Sequence, residues 1–233
     1  MKQSEGFTII ELMIATVFFT ILLLITSAVI IGISDSYVKG QVQGITQQSS
    51  RDIMTDISQD IKFNTNSSIN LGPFIFPANK FWFCIGADVY VYQYDLALSP
   101  NPTPPSESRW GLLRYTGDCP TTASPPIVSG SGHIAGVQHV TELLANNERL
   151  GYLYIPPPTQ PVPNVNVYTI YLEVAYGSDN TLLNDVVLNP AHVNGTGSPP
   201  QTPGYKYACQ SGSDSNFCAV SSLTEVTEPR INE

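Results

Sequence analysis

Charged side chains are scarce in this chain: Asp, Glu, Lys and Arg together make up 12% of its 233 residues. Acidic residues outnumber basic ones by 19 to 10, which gives a formal net charge of -9, and no run of Lys or Arg occurs. Because contacts to phosphates need basic side chains, this balance argues against binding to nucleic acid. Proline and glycine are plentiful instead, with 19 and 17 residues. Such a composition is more typical of a surface-displayed, β-rich domain than of a cytosolic enzyme.

Sequence signatures of catalysis and metal binding are also absent. There is no P-loop, no GxGxxG and no CxxC pair, so nucleotide and zinc-ribbon sites are not expected. His133, His139 and His192 are isolated, without HExxH or paired carboxylates around them. The stretch VSGSGH, beginning at Val128, lies in a polar loop and lacks the strand-to-helix turn of a nucleophile elbow. We therefore expect no enzymatic activity, no cofactor and no metal ion.

Two polar turns keep calcium binding open as an alternative. Asp179 and Asp185 lie in YGSDNTLLND, and Asp214 lies in SGSDSN. Plain turns are favoured because the ligand spacing of an EF-hand is missing. Asn66 and Asn194 stand in N-x-S/T sequons, which surface loops explain adequately.

The four cysteines all follow the long apolar run: they are Cys84, Cys119, Cys209 and Cys218. An even number in an exported domain predicts two disulfides, and three pairings are possible. We favour Cys84 with Cys119 and Cys209 with Cys218, because the second pair closes the short polar loop CQSGSDSNFC. Free buried thiols are the alternative.

Hydrophobic residues are concentrated in one run from Phe7 to Ile33, in which Glu11 is the only ionisable side chain. As a helix of about 27 residues the run is about 40 Å long, enough to cross a bilayer core of about 30 Å. It is too long for the apolar part of an ordinary signal peptide, and no small-residue cleavage motif follows it. A charge near the bilayer centre costs roughly 2.5–3.5 kcal/mol, so we expect Glu11 to have a function.

The helical pattern continues beyond the apolar run to about Lys62. Apolar residues recur there at helical spacing among Gln, Ser, Asp and Arg; they are Val38, Val42, Ile45, Ile53, Ile57 and Ile61. We expect one continuous helix whose outer half packs on a globular domain. Three glycines, Gly32, Gly40 and Gly44, weaken this helix, and the stretch NTNSSINLGP ends it.

After the helix the pattern changes to alternating β-forming residues. Three consecutive strands are predicted in KFWFCIG, DVYVYQYD and RWGLLRYTG, and further strands in GVQHVTELL, RLGYLYI, NVYTIYLEVAYG, LNDVVL and FCAVSSLTEV. The proline-rich stretches IPPPTQPVPN and NGTGSPPQTPG are predicted as loops. Tyr90, Tyr92 and Tyr94 alternate on one strand face, where packing is favoured over an adhesive stripe. The predicted class is α+β, with a long N-terminal helix packed on a mainly antiparallel sheet.

The first residues of the chain carry a specific pattern: the short polar leader MKQSEG precedes FTIIELMIATVFFTILLLI. This pattern resembles the class III signal of type IV pilins and of the pseudopilins of type II secretion. In that family a membrane peptidase cuts after the glycine, the new N-terminal residue is N-methylated, and a glutamate stands fifth in the mature chain. Gly6, Phe7 and Glu11 occupy these positions. The resemblance covers about the first thirty residues.

The resemblance implies a precursor in the cytoplasmic membrane that is cleaved between Gly6 and Phe7, methylated at Phe7, and assembled into an extracellular pilus filament. The implied partners are other pilin subunits, a prepilin peptidase and an inner-membrane assembly platform with a motor ATPase. A surface or host ligand is a further implied alternative. Glu11 is implied to pair with the N-terminal amine of its own or a neighbouring subunit, which would offset two charges in a low-dielectric bundle. A carboxylate that is neutral or snorkels near the membrane edge is the alternative.

The implied organisation divides the chain into four parts. Residues 1–6 are the leader, residues 7–33 the transmembrane and filament-core helix, residues 34–62 the amphipathic half of the helix, and residues 63–233 a β-rich pilin head. The apolar half lacks the proline found in many Gram-negative pilins.

A second resemblance reaches into the head. The stretches FWFCIGADVYVYQYD, GLLRYTGDC and FCAVSSLTEVTEPR are similar to the PilW-like minor pilins, which are related to the pseudopilin called J. That group has a cysteine in an early strand, a tyrosine-rich second strand and an arginine near the end, as Arg230 is here. We therefore favour a minor pilin involved in pilus assembly, priming or adhesion. The alternatives are a major pilin, a type II secretion pseudopilin, an adhesin or DNA-binding pilin, and a plain membrane-anchored β-domain.

Overall fold

One 55-residue helix, α1 (Ile9–Phe63), begins the computed structural model of the chain. The structure describes residues 8–76, 80–102, 107–121, 126–162, 165–178, 181–187, 204–210 and 217–229. The predicted processing residues Gly6 and Phe7, and the late Arg230, lie outside this part. Asn64 caps the end of α1, and its side-chain amide donates a hydrogen bond of 2.8 Å to the carbonyl of Asp60. The helix is continuous, as predicted.

The described chain after α1 forms a short 3-10 turn (Asn66–Ser68) and a series of strands. These are β1 (Ile69–Phe76), β2 (Lys80–Ile85), β3 (Asp88–Gln93), β4 (Ala97–Leu98), β5 (Glu107–Ser108), β6 (Leu112–Thr116), β7 (Thr141–Glu142), β8 (Glu148–Tyr154), β9 (Thr159–Val162), β10 (Val165–Tyr176), β11 (Leu182–Val187), β12 (Gly204–Cys209) and β13 (Ala219–Thr227). We call the described residues from Thr65 to Pro229 the head.

Most strands of the head belong to two antiparallel sheets. The five-stranded sheet has the order β1-β2-β3-β6-β7, and in the four-stranded sheet β10 lies between β13 and β8 and also pairs with β9. β11 pairs with β12 in an antiparallel ladder, whereas β4 and β5 form a short parallel pair. A long N-terminal helix packed on antiparallel sheets confirms the α+β class.

The tight β2–β3 connection depends on Gly86. Its φ of +62° lies in the left-handed region, and a Cβ at this position would be only 2.0 Å from the Oδ1 atom of Asn64. Glycine is therefore required both by the turn and by the close approach of the helix end.

Five strands arise where the sequence predicted loops or a helix end. Two of them, β4 and β5, lie at the ends of the proline-rich stretch LALSPNPTPPSES, which is predicted as a loop between the second and third strands. β1 begins inside NTNSSINLGP, β9 lies inside IPPPTQPVPN, and β12 begins at the last residue of NGTGSPPQTPG. Among the described strands, the two that contain proline are at edges: β1 pairs with β2, with a register shift between Asn70 and Phe74, and β9 pairs with β10. A proline is tolerated at such edges because one side of the strand needs no ladder hydrogen bond.

The main hydrophobic core joins α1 to both sheets. Ile57 and Ile61 of α1 are fully buried and share one cluster with Leu112 of the five-stranded sheet and Leu172 of the four-stranded sheet. A second cluster covers the opposite face of the five-stranded sheet and includes Trp82, Trp110, Tyr115, Val128 and Ile134. The outer half of α1 therefore packs into the main core together with the head.

The alternating tyrosines of β3 and the residue beyond it are packing residues. Tyr90, Tyr92 and Tyr94 are all buried in the main core. The ring of Tyr90 stacks on Phe83 with a centroid distance of 4.8 Å, and Tyr92 stacks on Phe81 at 5.5 Å. An adhesive stripe at these positions is excluded by their burial.

Two disulfides cross-link the head: Cys84 with Cys119, and Cys209 with Cys218. This is the pairing favoured from the sequence. The first bond ties β2 to the segment after β6, and the second ties the end of β12 to the residue before β13. Each bond restricts the unfolded chain and so stabilises the folded head.

We expect Ile57→Ala to lower the free energy of unfolding by about 2–5 kcal/mol, because it removes buried methyl groups and leaves a cavity. Ile45→Ala, on the same helix at a side chain that is 49% exposed, is the matched control and should cost less than about 1 kcal/mol. The measurement is urea unfolding of the full chain in detergent, followed by near-ultraviolet circular dichroism. Equal losses would contradict the packing of α1 on the head.

Candidate functional site

The apolar segment of α1, Ile9–Ile33, is uncovered by the rest of the chain. Every Val, Ile, Leu, Met and Phe in it is between 47% and 81% exposed. Among the described residues, α1 is the one helix long and apolar enough to cross a membrane, by length and composition. A membrane anchor and a signal segment share these properties. Such an extended apolar surface needs lipid or protein to cover it.

Glu11 forms a capping box with Thr8 at the start of α1. The backbone N–H of Glu11 donates to Thr8 Oγ1 at 3.3 Å, while the backbone N–H and the hydroxyl of Thr8 donate to Glu11 Oε2 at 3.0 and 2.9 Å. These bonds satisfy amides that an uncapped helix end leaves unpaired. Glu11 therefore has a role within its own chain. The sequence signal of this capping box is the spacing T-x-x-E from Thr8 to Glu11.

A charged cluster fixes α1 against the five-stranded sheet. Arg114 on β6 lies 3.5 Å from Asp56 and 3.0 Å from Asp60 on α1, and 3.2 Å from Asp88 on β3. The hydroxyl of Tyr90 donates to Asp60 Oδ2 at 2.6 Å. Burial raises the pKa of Asp60, and the hydrogen bond from Tyr90 and the charge of Arg114 oppose this rise. The cluster therefore orients the helix as well as contributing to packing.

Two carboxylates of the four-stranded sheet also bind α1. The Ser49 hydroxyl donates to Glu148 Oε2 at 2.7 Å. The Ser58 hydroxyl donates to Glu225 Oε1 at 2.5 Å, and Lys62 Nζ lies 3.5 Å from the same oxygen. From Ser49 to Lys62 the helix is thus bonded to both sheets, so it moves with the head as one body.

The remaining sequence candidates do not converge on a site. His133 and His139 are exposed loop residues, and Asp185 lies on β11. His192, Asp179, Asp214 and Asn194 lie outside the described residues. Within the described ranges, no group of three or more His, Cys, Asp and Glu side chains has the arrangement of a metal site.

Comparison of the chain with protein-family models, with curated protein sequences and with solved structures finds no match. Three features of the chain itself therefore bear on its function. These are the uncovered apolar segment, the capping box at its start, and the bonded junction between α1 and the head.

Glu148→Gln should change how stability depends on pH. Burial raises the pKa of Glu148 above 4.5, against the opposing hydrogen bonds from Ala145 and Ser49. The carboxyl proton of Glu148 is thus bound more tightly in the folded protein than in the unfolded chain. The stability that this difference contributes is fully present below the unfolded pKa of Glu148, and it is lost as the pH rises through the folded pKa. Glutamine cannot ionise, and the variant should gain stability relative to the parent between pH 4 and pH 7.

The measurement is the melting temperature of both proteins across this range. Ser49→Ala is the matched control, because it removes one hydrogen-bond donor, at a cost of about 1 kcal/mol, and keeps the titrating group. Parallel curves for Glu148→Gln and the parent would show that the pKa of Glu148 is the same in the folded and unfolded states.

Proposed function

We propose that this chain is the precursor of a type IV pilin: it is cleaved between Gly6 and Phe7, methylated at Phe7, and assembled through α1 into an extracellular filament. The observation that carries the proposal is the apolar segment. It is uncovered along its whole described length, it begins within the GFTIIE pattern at the start of the chain, and it continues without a break into a disulfide-bonded head.

The shape of the molecule supports two successive environments for the apolar segment. Before assembly a lipid bilayer would cover it, because the segment is long enough to span the hydrocarbon core. In a filament the corresponding segments of neighbouring subunits would cover one another, with small and apolar side chains allowing close packing. The head needs neither environment, since its core is complete without the apolar segment.

The capping box supports a pairing between Glu11 and the amine that cleavage would create at Phe7. The nitrogen of Phe7 is three covalent bonds from the nitrogen of Thr8, so the two atoms are at most about 4 Å apart. The Glu11 carboxylate accepts a hydrogen bond from that Thr8 nitrogen at 3.0 Å. The carboxylate of one subunit would thus lie near the new amine. Pairing within or between subunits would offset both charges in a low-dielectric helix bundle.

Within this class we propose a PilW-like minor pilin that acts in assembly, priming or adhesion. The stretches that carry the resemblance include the cysteine of β2, the tyrosine-rich β3 and the strand β13. Two disulfides suit an exported head. The partners of this function are other pilin subunits, the prepilin peptidase and the assembly platform with its motor ATPase.

Two substitutions at Glu11 separate capping from charge pairing. Glutamine at this position retains an acceptor for the capping box, whereas alanine does not. If Glu11 pairs with the amine of Phe7, Glu11→Gln and Glu11→Ala should both insert into the membrane and both be depleted from filaments at least tenfold. The measurement is the ratio of the protein in sheared filaments to that in the membrane fraction, by immunoblot.

Gly6→Leu is the control for processing, because it should block cleavage and leave the precursor in the membrane. Normal incorporation of Glu11→Gln with loss of Glu11→Ala would reduce the role of Glu11 to capping. Normal incorporation of both variants would contradict the pairing altogether.

A further inference from the structure

The apolar segment is longer than the bilayer core that it would cross. From Ile9 to Ile33 the helix rises about 36 Å, whereas the hydrocarbon core is about 30 Å thick. The segment can therefore stand upright with about 20 residues in the core, or tilt by about 35° and place all of its residues inside. The depth of Glu11 in the bilayer depends on which end of the apolar segment lies at a boundary of the hydrocarbon core.

The outer end is marked by a polar stretch of α1, Ser34–Gln41, which we call the neck. Asp35 is the first charged residue after Ile33. Tyr37 is 65% exposed, and its hydroxyl accepts a hydrogen bond of 3.2 Å from the side-chain amide of Gln41. Lys39 is also exposed. Tyrosine and lysine are residues of the membrane–water interface, because each has an apolar body and a polar end.

We propose that the neck contacts the phospholipid headgroups of the outer leaflet, and that this register places Glu11 at the inner boundary of the hydrocarbon core. The partner of the neck is thus a lipid surface. The inference rests on the membrane-inserted precursor of the proposed function and adds its register in the bilayer.

The position of Glu11 follows by counting back from Ile33. In the upright arrangement the core extends to Ile14, and Glu11 lies three residues, about 4.5 Å, outside it. In the tilted arrangement the core extends to Ile9, and Glu11 lies about 2.5 Å inside. Both arrangements keep the carboxylate within about 5 Å of the boundary, where water and headgroups reach it.

In the opposite register, the hydrocarbon core would begin at Phe7. The apolar residues at the outer end of the segment disfavour this register. An upright core beginning at Phe7 would end near Thr26. The large apolar residues from Val29 to Ile33, which are 54% to 65% exposed in the chain, would then face headgroups and water. The upright arrangement set by the neck exposes the large apolar residues from Ile9 to Met13 instead, whereas the tilted arrangement buries both groups. Burial in the core therefore favours the tilted arrangement, in which Ile33 lies at the outer boundary.

The same register holds the head clear of the lipid. Val42 is the first residue of α1 that is buried in the structure, and it lies nine residues, about 13.5 Å, beyond Ile33. The headgroup layer on one side of a bilayer is only about 5–8 Å thick. The first residues of the neck, from Ser34 to about Val38, are therefore the ones that the headgroups would surround.

A depth profile along α1 tests the register. Single cysteines between Ile9 and Gln41 would be spin-labelled in the full chain, reconstituted in phosphatidylcholine vesicles, since all described native cysteines are in disulfides. Oxygen and a water-soluble nickel chelate report depth by power saturation. We expect the deepest label between residues 21 and 24, because residue 21 is the centre of the tilted span and residues 23 and 24 are the centre of the upright span.

A maximum at residues 16–17 would overturn the register while leaving the proposed function intact. The absence of any oxygen-accessible maximum would overturn both. A correct profile in a protein that never enters filaments would overturn the proposed function alone.

A second measurement tests contact between the neck and lipid. Tyr37→Trp should be quenched more strongly by lipids brominated near the headgroup than by lipids brominated deep in the chains. Tyr154→Trp, on the half-exposed surface of β8, is the matched control, since lipid should add no quenching there beyond that of the native tryptophans. An unquenched tryptophan at position 37 would overturn the contact.

Discussion

The unbroken backbone hydrogen bonding of α1 couples an apolar segment that water cannot solvate to a head that folds in water. The outer half of the helix supplies Ile53, Ile57 and Ile61 to the main core, so it cannot leave the head without exposing that core. The inner half is uncovered from Ile9 to Ile33. Any partner that covers the inner half therefore also positions the head, because both belong to one rigid element.

In the proposed pilin, Glu11 would have two compatible roles, capping and charge pairing. Both donors of Thr8 reach the same carboxylate oxygen, Oε2. Capping holds the side chain at the helix start, where the positive end of the helix dipole favours a carboxylate. The proposed amine of Phe7 would arise beside it. The capping box would thus prepare the carboxylate for pairing, and the register in the bilayer would keep it near water until a subunit docks.

The parts of the fold that local pattern determines could be predicted from the sequence. The 3.6-residue spacing of Val42, Ile53, Ile57 and Ile61 indicated the packed half of α1, and alternation indicated β2, β3 and β10. Local pattern did not reveal β1 or β9, whose prolines are tolerated only because both strands lie at sheet edges. Edge position is a property of the assembled sheet.

The contacts that join α1 to the head were also beyond prediction. Ser49 and Glu148 are 99 residues apart, and Arg114 meets Asp60 across 54 residues. Their partners are defined only once both sheets have formed around the helix. The capping box is different, because its signal is four residues long and could be found in the sequence. The pairing of Cys209 with Cys218 could be predicted for the same reason, since only 9 residues separate them.

Mass spectrometry of the N-terminal peptide tests the central claim most directly. Sheared surface filaments and the membrane fraction would be compared for peptides that begin at Met1 and at Phe7. The account predicts N-methylated Phe7 in the filaments, with its abundance there separating a minor from a major subunit. An intact Met1 leader found only in membranes would contradict it and identify a membrane-anchored β-domain.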